Sequence, residues 1–434
     1  MKKRKNALFS FCFLLFFLAT SSTAGFAVNA SAATDAIVSH GLHVLAAESE
    51  MAMAALRGND IRFEAEDFAR ALNLSSVQQI TVTELPPVTD GELRVGSTVL
   101  NRGQTVSGSS LELLSYTASS SITSSSFRFR VGDAPYEITC RLYLLDKINY
   151  APTLSTASKN YLNVSTHRNV TLYGTLPCHD PDGDKTTIEI VSYPEQGILV
   201  LTDRSTGEYT FTPSADYAGR DSFTYVARDV YGNYSASATV SLTVERQSSS
   251  VVFHDIIDDP CYNAALTMAE EGIMSGTQIG AFTYFYPNTE ISRADFCVMA
   301  MQALGMTEVS PTTSTVFSDD ADIPSRAKDY IATAYELGYI KGLYRDDALC
   351  FEPNRAITRA EAAVLLANMI DAATPTIAPV FSDAESVPAW AAPSLSSLSA
   401  MGIMDMQNGH IEPLEAVTRA DAAEMLYELS RNVS

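Results

Sequence analysis

Positive charge, cysteine and tryptophan are all scarce in this chain: 29 lysines and arginines face 51 aspartates and glutamates, with six cysteines and the lone Trp390. A formal charge of −22 argues against a nucleic-acid partner, because an anionic protein repels an anionic backbone at long range. Setting aside Cys12, which lies in an N-terminal apolar run, leaves Cys140, Cys178, Cys261, Cys297 and Cys350, scattered and odd in number. That is no disulfide framework, and without CxxC spacing it offers no zinc site; such isolated thiols read as small apolar core residues. GxSxG, HExxH, a P-loop and a GxGxxG between strand and helix are also missing, so the chain does not read as an enzyme. No apolar run reaches the roughly 20 residues that a spanning helix needs.

The longest apolar run, about Ala7 to Ala19, follows Lys2-Lys3-Arg4-Lys5 and precedes Ala30-Ser31-Ala32. Residues 1–32 are therefore expected to be a secretory signal peptide cleaved near Ala32. With no LPxTG signal, no apolar C-terminal tail and no membrane span after cleavage, attachment to a cell is expected to be noncovalent. Residues 33–57 read as a small amphipathic helical segment. His40 and His43 could share a helix face there but lack a third metal ligand.

Two strand-rich stretches follow. Residues 149–245 alternate Thr, Val, Tyr and Phe with turn residues every few positions, as in "IEIVSYPEQGILVLTD" and "DSFTYVARD", and predict at least six strands of an antiparallel sandwich. Residues 58–147 carry a fainter version, "ITVTELPPVTDGELRVGS" and "SSFRFRVGD", with a short helix at "EDFARAL". Both stretches resemble tandem bacterial Ig-like and cadherin-like modules of surface proteins. Residues 246–250, "RQSSS", read as a polar linker. Within the second module, "HDPDGD" alternates Asp180, Asp182 and Asp184 around Gly183. Hard oxygen ligands of this kind suit Ca²⁺, the one cofactor the sequence suggests; the alternative is that the aspartates only form a turn.

From residue 251 the chain repeats itself three times, over 251–310, 311–374 and 375–434. Each copy opens with Phe-x-Asp at Phe253, Phe317 or Phe381, and a helical segment then ends at Gly272-Ile273, Gly338-Tyr339 or Gly402-Ile403. A loop follows, "FYPNTEISRAD", "FEPNRAITRAE" or "IEPLEAVTRAD", that leads into an amphipathic helix. Thr358 and Glu361 form a capping box with Ile357 placed as its hydrophobic staple; Ser292 with Asp295 and Thr418 with Asp421 are versions with a shorter acid. Capping does not explain Arg293, Arg359 and Arg419, since a cation near a helix N-terminus opposes the macrodipole by about 0.3 to 1 kcal/mol. Each arginine needs an anion: either the Phe-x-Asp carboxylate of a neighbouring repeat, as an internal salt bridge, or an external ligand.

This triplicated pattern resembles the S-layer homology (SLH) domain. The resemblance implies a pseudo-threefold all-α helical domain behind the all-β Ig-like sandwiches of a multidomain chain. It also implies binding of pyruvylated secondary cell-wall polysaccharide on peptidoglycan in the grooves between repeats. Carried over position by position, Arg293, Arg359 and Arg419 would contact the polymer's carboxylates, with Asp255, Asp319 and Asp383 lining or bracing the grooves; Lys341 and Trp390 join them as candidates. Departures are the missing tryptophans, with Pro260 and Arg326 at the places matching Trp390, and Met406 where the other copies have Gly276 and Gly342. Residues 251–434 hold 26 acidic against 9 basic residues, and six of the nine, Arg326, Lys328, Lys341, Arg345, Arg355 and Arg359, lie in the second repeat. That copy is therefore expected to dominate anchoring.

The expectation is a secreted, noncovalently anchored protein at the cell wall or S-layer of a Gram-positive-type bacterium, displaying Ig-like modules as adhesive units or spacers. Their own ligand is not legible. A structural S-layer lattice subunit and an accessory carbohydrate-binding protein of a surface hydrolase system are the alternatives.

Overall fold

The computed structural model describes residues 50–72, 74–154, 162–307, 309–375 and 378–433. The signal peptide, His40, His43 and the start of the 33–57 segment lie outside the described residues.

The first β unit contains β1 (Glu50–Leu56), β2 (Ile61–Arg62), α1 (Ala65–Ala71), β3 (Gln79–Glu84), β4 (Gly91–Val95), β5 (Thr98–Val99), β6 (Thr105–Ser107), β7 (Leu114–Ala118), β8 (Ser124–Val131) and β9 (Ile138–Leu145). They form sheets in the order β1-β9-β8-β3-β6 and β2-β7-β4-β5. The period-two pattern of "ITCRLYLL" sends Ile138, Cys140, Leu142 and Leu144 inward, where they meet Phe63, Phe68, Phe127 and Phe129. Glu50–Leu56 is a strand, which corrects the helical reading of residues 33–57 over that stretch. The segment "EMAMAAL" pairs in parallel with β9, Met51 opposite Cys140. Alanine and methionine favour helix locally, and an open sheet edge some ninety residues away overrides them.

The second β unit contains β10 (Asn163–His167), β11 (Leu172–Thr175), β12 (Thr186–Ser192), β13 (Gly197–Asp203), β14 (Glu208–Pro213), β15 (Gly219–Asp229) and β16 (Ala238–Glu245). Its sheets run β10-β16-β15-β12 and β11-β14-β13, with Phe211, Phe223 and Tyr225 buried between them. Strand β10 also faces the repeats. His167 Nδ1 and Asn263 Oδ1 are 3.0 Å apart, Tyr427 donates to the Ser165 carbonyl at 3.1 Å, and Val170 enters the core of the repeat region.

The repeat region holds α2 (Tyr262–Glu270), β17 (Thr277–Ile279), β18 (Phe282–Tyr284), α3 (Arg293–Ala303), α4 (Ser325–Glu336), β19 (Leu343–Arg345), β20 (Ala348–Cys350), α5 (Arg359–Ile370), α6 (Ala392–Ala400) and α7 (Arg419–Val433). It is helical but carries two short hairpins, β17 with β18 and β19 with β20, which an all-α reading omits. Phe285 lies thirteen positions after Gly272 and Phe351 thirteen after Gly338, whereas Ile411 lies nine after Gly402. The shorter third loop closes through a single Gln407–His410 bridge. This also explains the Met406 departure. A Cβ on Gly276 would come within 2.6 Å of the Phe253 ring and one on Gly342 within 2.7 Å of the Phe317 ring, because the hairpins press against those phenylalanines. Met406, beside the shortened loop, is 39% exposed.

The three copies close into a ring. The amide of Ile291 donates to the carbonyl of Val417 (2.9 Å), Val417 to Ile357 (2.9 Å), and Ile357 back to Ile291 (3.0 Å). All three side chains are buried, so the apolar residue just before each cap, the staple position, forms the axis of the assembly.

Candidate functional site

The repeat motif positions its polar residues from both ends of the loop. In each copy the Phe-x-Asp carboxylate accepts two successive backbone amides of the loop in its own repeat. Asp255 takes Phe285 and Tyr286 (2.7 and 2.6 Å), Asp319 takes Phe351 and Glu352 (2.9 and 2.7 Å), and Asp383 takes Ile411 and Glu412 (2.9 and 2.8 Å). The second residue of each pair has left-handed backbone, with φ of 59° at Tyr286, 58° at Glu352 and 51° at Glu412. That conformation costs a non-glycine residue about 1 to 3 kcal/mol, and the two charge-assisted bonds offset it. The two amide bonds to Asp383 hold its carboxyl below the usual range against the opposing effect of burial.

The helix caps form at the expected residues. Thr358 and Glu361 bond reciprocally, and so do Thr418 and Asp421 (2.8 and 3.2 Å), so the shorter acid also completes a capping box. Ser292 accepts the Asp295 amide at 3.1 Å, while Asp295 takes the Ser292 hydroxyl rather than its amide.

Each arginine reaches into the next repeat around the ring. Arg293 Nε donates to the Phe351 carbonyl (2.9 Å), Arg359 Nε to Ile411 (2.8 Å), and Arg419 Nε to Phe285 (2.7 Å). A second arm of Arg359 holds the Asp405 carbonyl (2.5 Å), and one of Arg419 holds that of Ser275 (2.6 Å). Backbone amides follow the same path, from Arg293 to Arg355, Arg359 to Glu415, and Arg419 to Thr289. For Arg293 and Arg359 the anion that the motif requires is therefore internal, but it is not the Phe-x-Asp carboxylate; Arg419 holds carbonyls alone. The guanidinium bonds carbonyls of the loop that the aspartate braces, and the ion pairs go to the next helix cap, Arg293 to Glu361 (3.2 Å) and Arg359 to Asp421 (3.5 Å).

The second repeat's cations are largely engaged. Arg326 pairs with Asp295, Lys328 with Asp320, Arg345 with Glu352, and Arg355 with Glu352 and Glu361. Arg359 is 5% exposed. Lys341 is exposed, and Trp390 is 58% exposed at the start of α6. Burial, with the charges of Asp405, Asp421 and Asp259, pushes the Glu424 carboxyl up to about 8. The second copy is therefore no reservoir of free positive charge, which removes the basis for its expected dominance.

In the second β unit, Asp180, Asp182 and Asp184 bring carboxylate oxygens within 4.8 Å of one another. Asp180 is 6% exposed; its Oδ1 accepts the amides of Asp182 (2.9 Å) and Asp184 (3.0 Å), while Oδ2 is buried with no hydrogen-bond partner among the described residues. Burial and the like charges of Asp180, Asp229 and Asp182 raise the Asp184 carboxyl above its ordinary range. An orphaned buried carboxylate oxygen among hard donors fits a divalent cation such as Ca²⁺. Of the free thiols, Cys140, Cys261 and Cys297 are buried as read, whereas Cys178 and Cys350 are only partly buried. No helix among the described residues is long and apolar enough to cross a membrane.

Comparison with known proteins agrees with this layout. The family model "Bacterial cadherin-like domain" matches residues 149–246, and "S-layer homology domain" matches residues 252–297, 316–363 and 380–423. An amylopullulanase of Thermoanaerobacterium thermosulfurigenes is 28% identical over 183 residues, 41% of this chain and 9% of that protein. Exoglucanase XynX of Acetivibrio thermocellus is 27% identical over 186 residues, 42% of this chain and 16% of its own length. The matches thus span a small part of each enzyme, its non-catalytic portion. Among solved structures, the fibronectin(III)-like modules of Clostridium thermocellum CbhA align over 47% of this chain and 95% of that one, at 15% identity and a TM-score of 0.22. Drosophila N-cadherin EC1-3 aligns over 45% of this chain and 63% of that one, at 11% identity and a TM-score of 0.20. Those scores are too low to carry an argument. The motifs, the ring and the family matches together identify a cell-surface, wall-associated chain in which a bacterial cadherin-like domain precedes three S-layer homology domains.

Proposed function

We propose that the chain is secreted by a Gram-positive-type cell and held noncovalently on the secondary cell-wall polysaccharide by residues 251–434, displaying its two β units outward. The carrying observation is the closed ring, in which each repeat clasps the next and leaves three seams of similar backbone between them. Asp255, Asp319 and Asp383 brace the seam loops, and Arg293, Arg359 and Arg419 fix them, so the seams are preorganised for a polymer. Lys341 and Trp390, both outside the clasp, are the exposed contacts on its rim. The mature chain should co-sediment with isolated walls and remain in the supernatant once the polysaccharide has been stripped from the peptidoglycan. Equal binding to stripped peptidoglycan would reject polymer recognition.

A second reading, an accessory carbohydrate-binding role beside a surface hydrolase, is favoured by the two relatives, an amylopullulanase and an exoglucanase. Retarded migration of the mature chain through gels containing soluble starch or a soluble glucan would support it.

Ca²⁺ on Asp180, Asp182 and Asp184 would neutralise a cluster whose charges now oppose one another. The second β unit is then expected to melt higher in millimolar Ca²⁺ than in chelator, by about 2.7 kcal/mol when Ca²⁺ is at a hundred times Kd. No shift would leave the aspartates as turn formers.

A further inference from the structure

The repeats meet in three helix pairs, α3 on α4, α5 on α6 and α7 on α2. The first two pairs are each tied by a connecting segment, residues 304–324 and 371–391, which keeps the partners close even when their contacts loosen. The third pair has no such tether, because α2 lies two repeats before α7 in the chain. Closure of the third repeat on the first therefore depends on noncovalent contacts.

Strand β10 of the second β unit lies across this untethered pair. It is the outermost strand of its sheet, and its outer edge carries backbone groups that pairing with β16 leaves open. Helices of both repeats satisfy them. On α2, Asn263 accepts the His167 amide (3.2 Å) and donates to the Ser165 carbonyl (3.1 Å), as a neighbouring strand would. On α7, Tyr427 donates to the same Ser165 carbonyl (3.1 Å) and Arg431 to that of Asn163. The His167 ring sits between Asn263 Oδ1 and Glu270 Oε2, at 3.0 and 3.3 Å, while Val170 is buried in the core of the repeats and not in that of its own unit. The other oxygen of Glu270 accepts the amides of Ser248 and Ser249 (2.7 and 3.0 Å), so the polar link between the two bodies is itself fastened to α2.

We propose that the second β unit is the clamp that closes the repeat ring. Its β10 edge takes the place of the missing connector between the third and first repeats, and the unit is held as a stiff extension of the ring instead of swinging on a tether. His167 and Asn263 are 4% and 5% exposed, so parting the two bodies strands buried donors and acceptors, and their opening is coupled. The clamp acts whatever the ring binds.

Hydrogen exchange read by mass spectrometry on the mature chain tests the clamp. His167→Ala combined with Val170→Ala removes the side-chain bonds to α2 and the apolar plug, and neither residue belongs to the core of the second β unit. Amides of α7 should then exchange about tenfold faster or more, and those of α5, whose pair is tethered, less than about threefold faster, with β15 and β16 still protected. Wild-type exchange in α7 overturns the clamp, and so does equal acceleration in α7 and α5, which would mean a general loss of stability. If β15 and β16 lose protection as well, Tyr427→Phe decides, since it lies outside the β unit and keeps its ring. Faster exchange in β10 and α2 of that variant then supports the clamp, and wild-type exchange in both overturns it.

Discussion

Arg359→Ala is expected to destabilise the repeat region by about 3 to 5 kcal/mol, the range for removing one member of a buried charged network. The guanidinium is 5% exposed and holds the carbonyls of Ile411 and Asp405, with Asp421 at 3.5 Å. Truncation strands two carbonyls and a carboxylate in a site that already carries excess negative charge, and each orphaned group costs about 1 to 3 kcal/mol. Trp390 is the sole tryptophan, so its fluorescence in a urea titration reports the repeat region without interference from the β units. Arg359→Lys should recover part of the loss, because an ammonium cannot reach both carbonyls with the fork of a guanidinium. Unchanged unfolding combined with lost wall binding would make Arg359 a ligand contact rather than a clasp.

Asp319→Ala should cost about 3 kcal/mol, because two charge-assisted bonds to Phe351 and Glu352 disappear and Glu352 stays in a left-handed conformation with nothing to hold it there. Asparagine at this position keeps one acceptor oxygen and should lose about half as much. The same loop presents the Phe351 carbonyl to Arg293. The Asp319→Ala and Arg293→Ala effects should therefore be less than additive, by about 0.5 kcal/mol or more, since either change releases the same loop. Strict additivity would mean that brace and clasp act independently, and the ring would lose its cooperative explanation.

Local rules were enough to read the repeat period, the caps at Ser292, Thr358 and Thr418, the alternation in β8 and the acidic cluster at 180–184. Each rests on contacts only a few residues apart. A hydroxyl three residues before an acid meets the first-turn amides whatever surrounds it. The same is true of the puzzle that Arg293, Arg359 and Arg419 pose: an unfavourable cation at a helix start, repeated three times, announces a missing partner.

Finding that partner took the tertiary structure. Arg419 and the Phe285 carbonyl are 134 residues apart, and they meet because the third repeat closes on the first. Closure also decided that the aspartate of Phe-x-Asp braces a loop instead of pairing with the arginine, and that most of the second repeat's cations are paired. Strand β1 became a strand because β9 offered it an edge. Charge counted along a sequence does not record where carboxylates return to meet it.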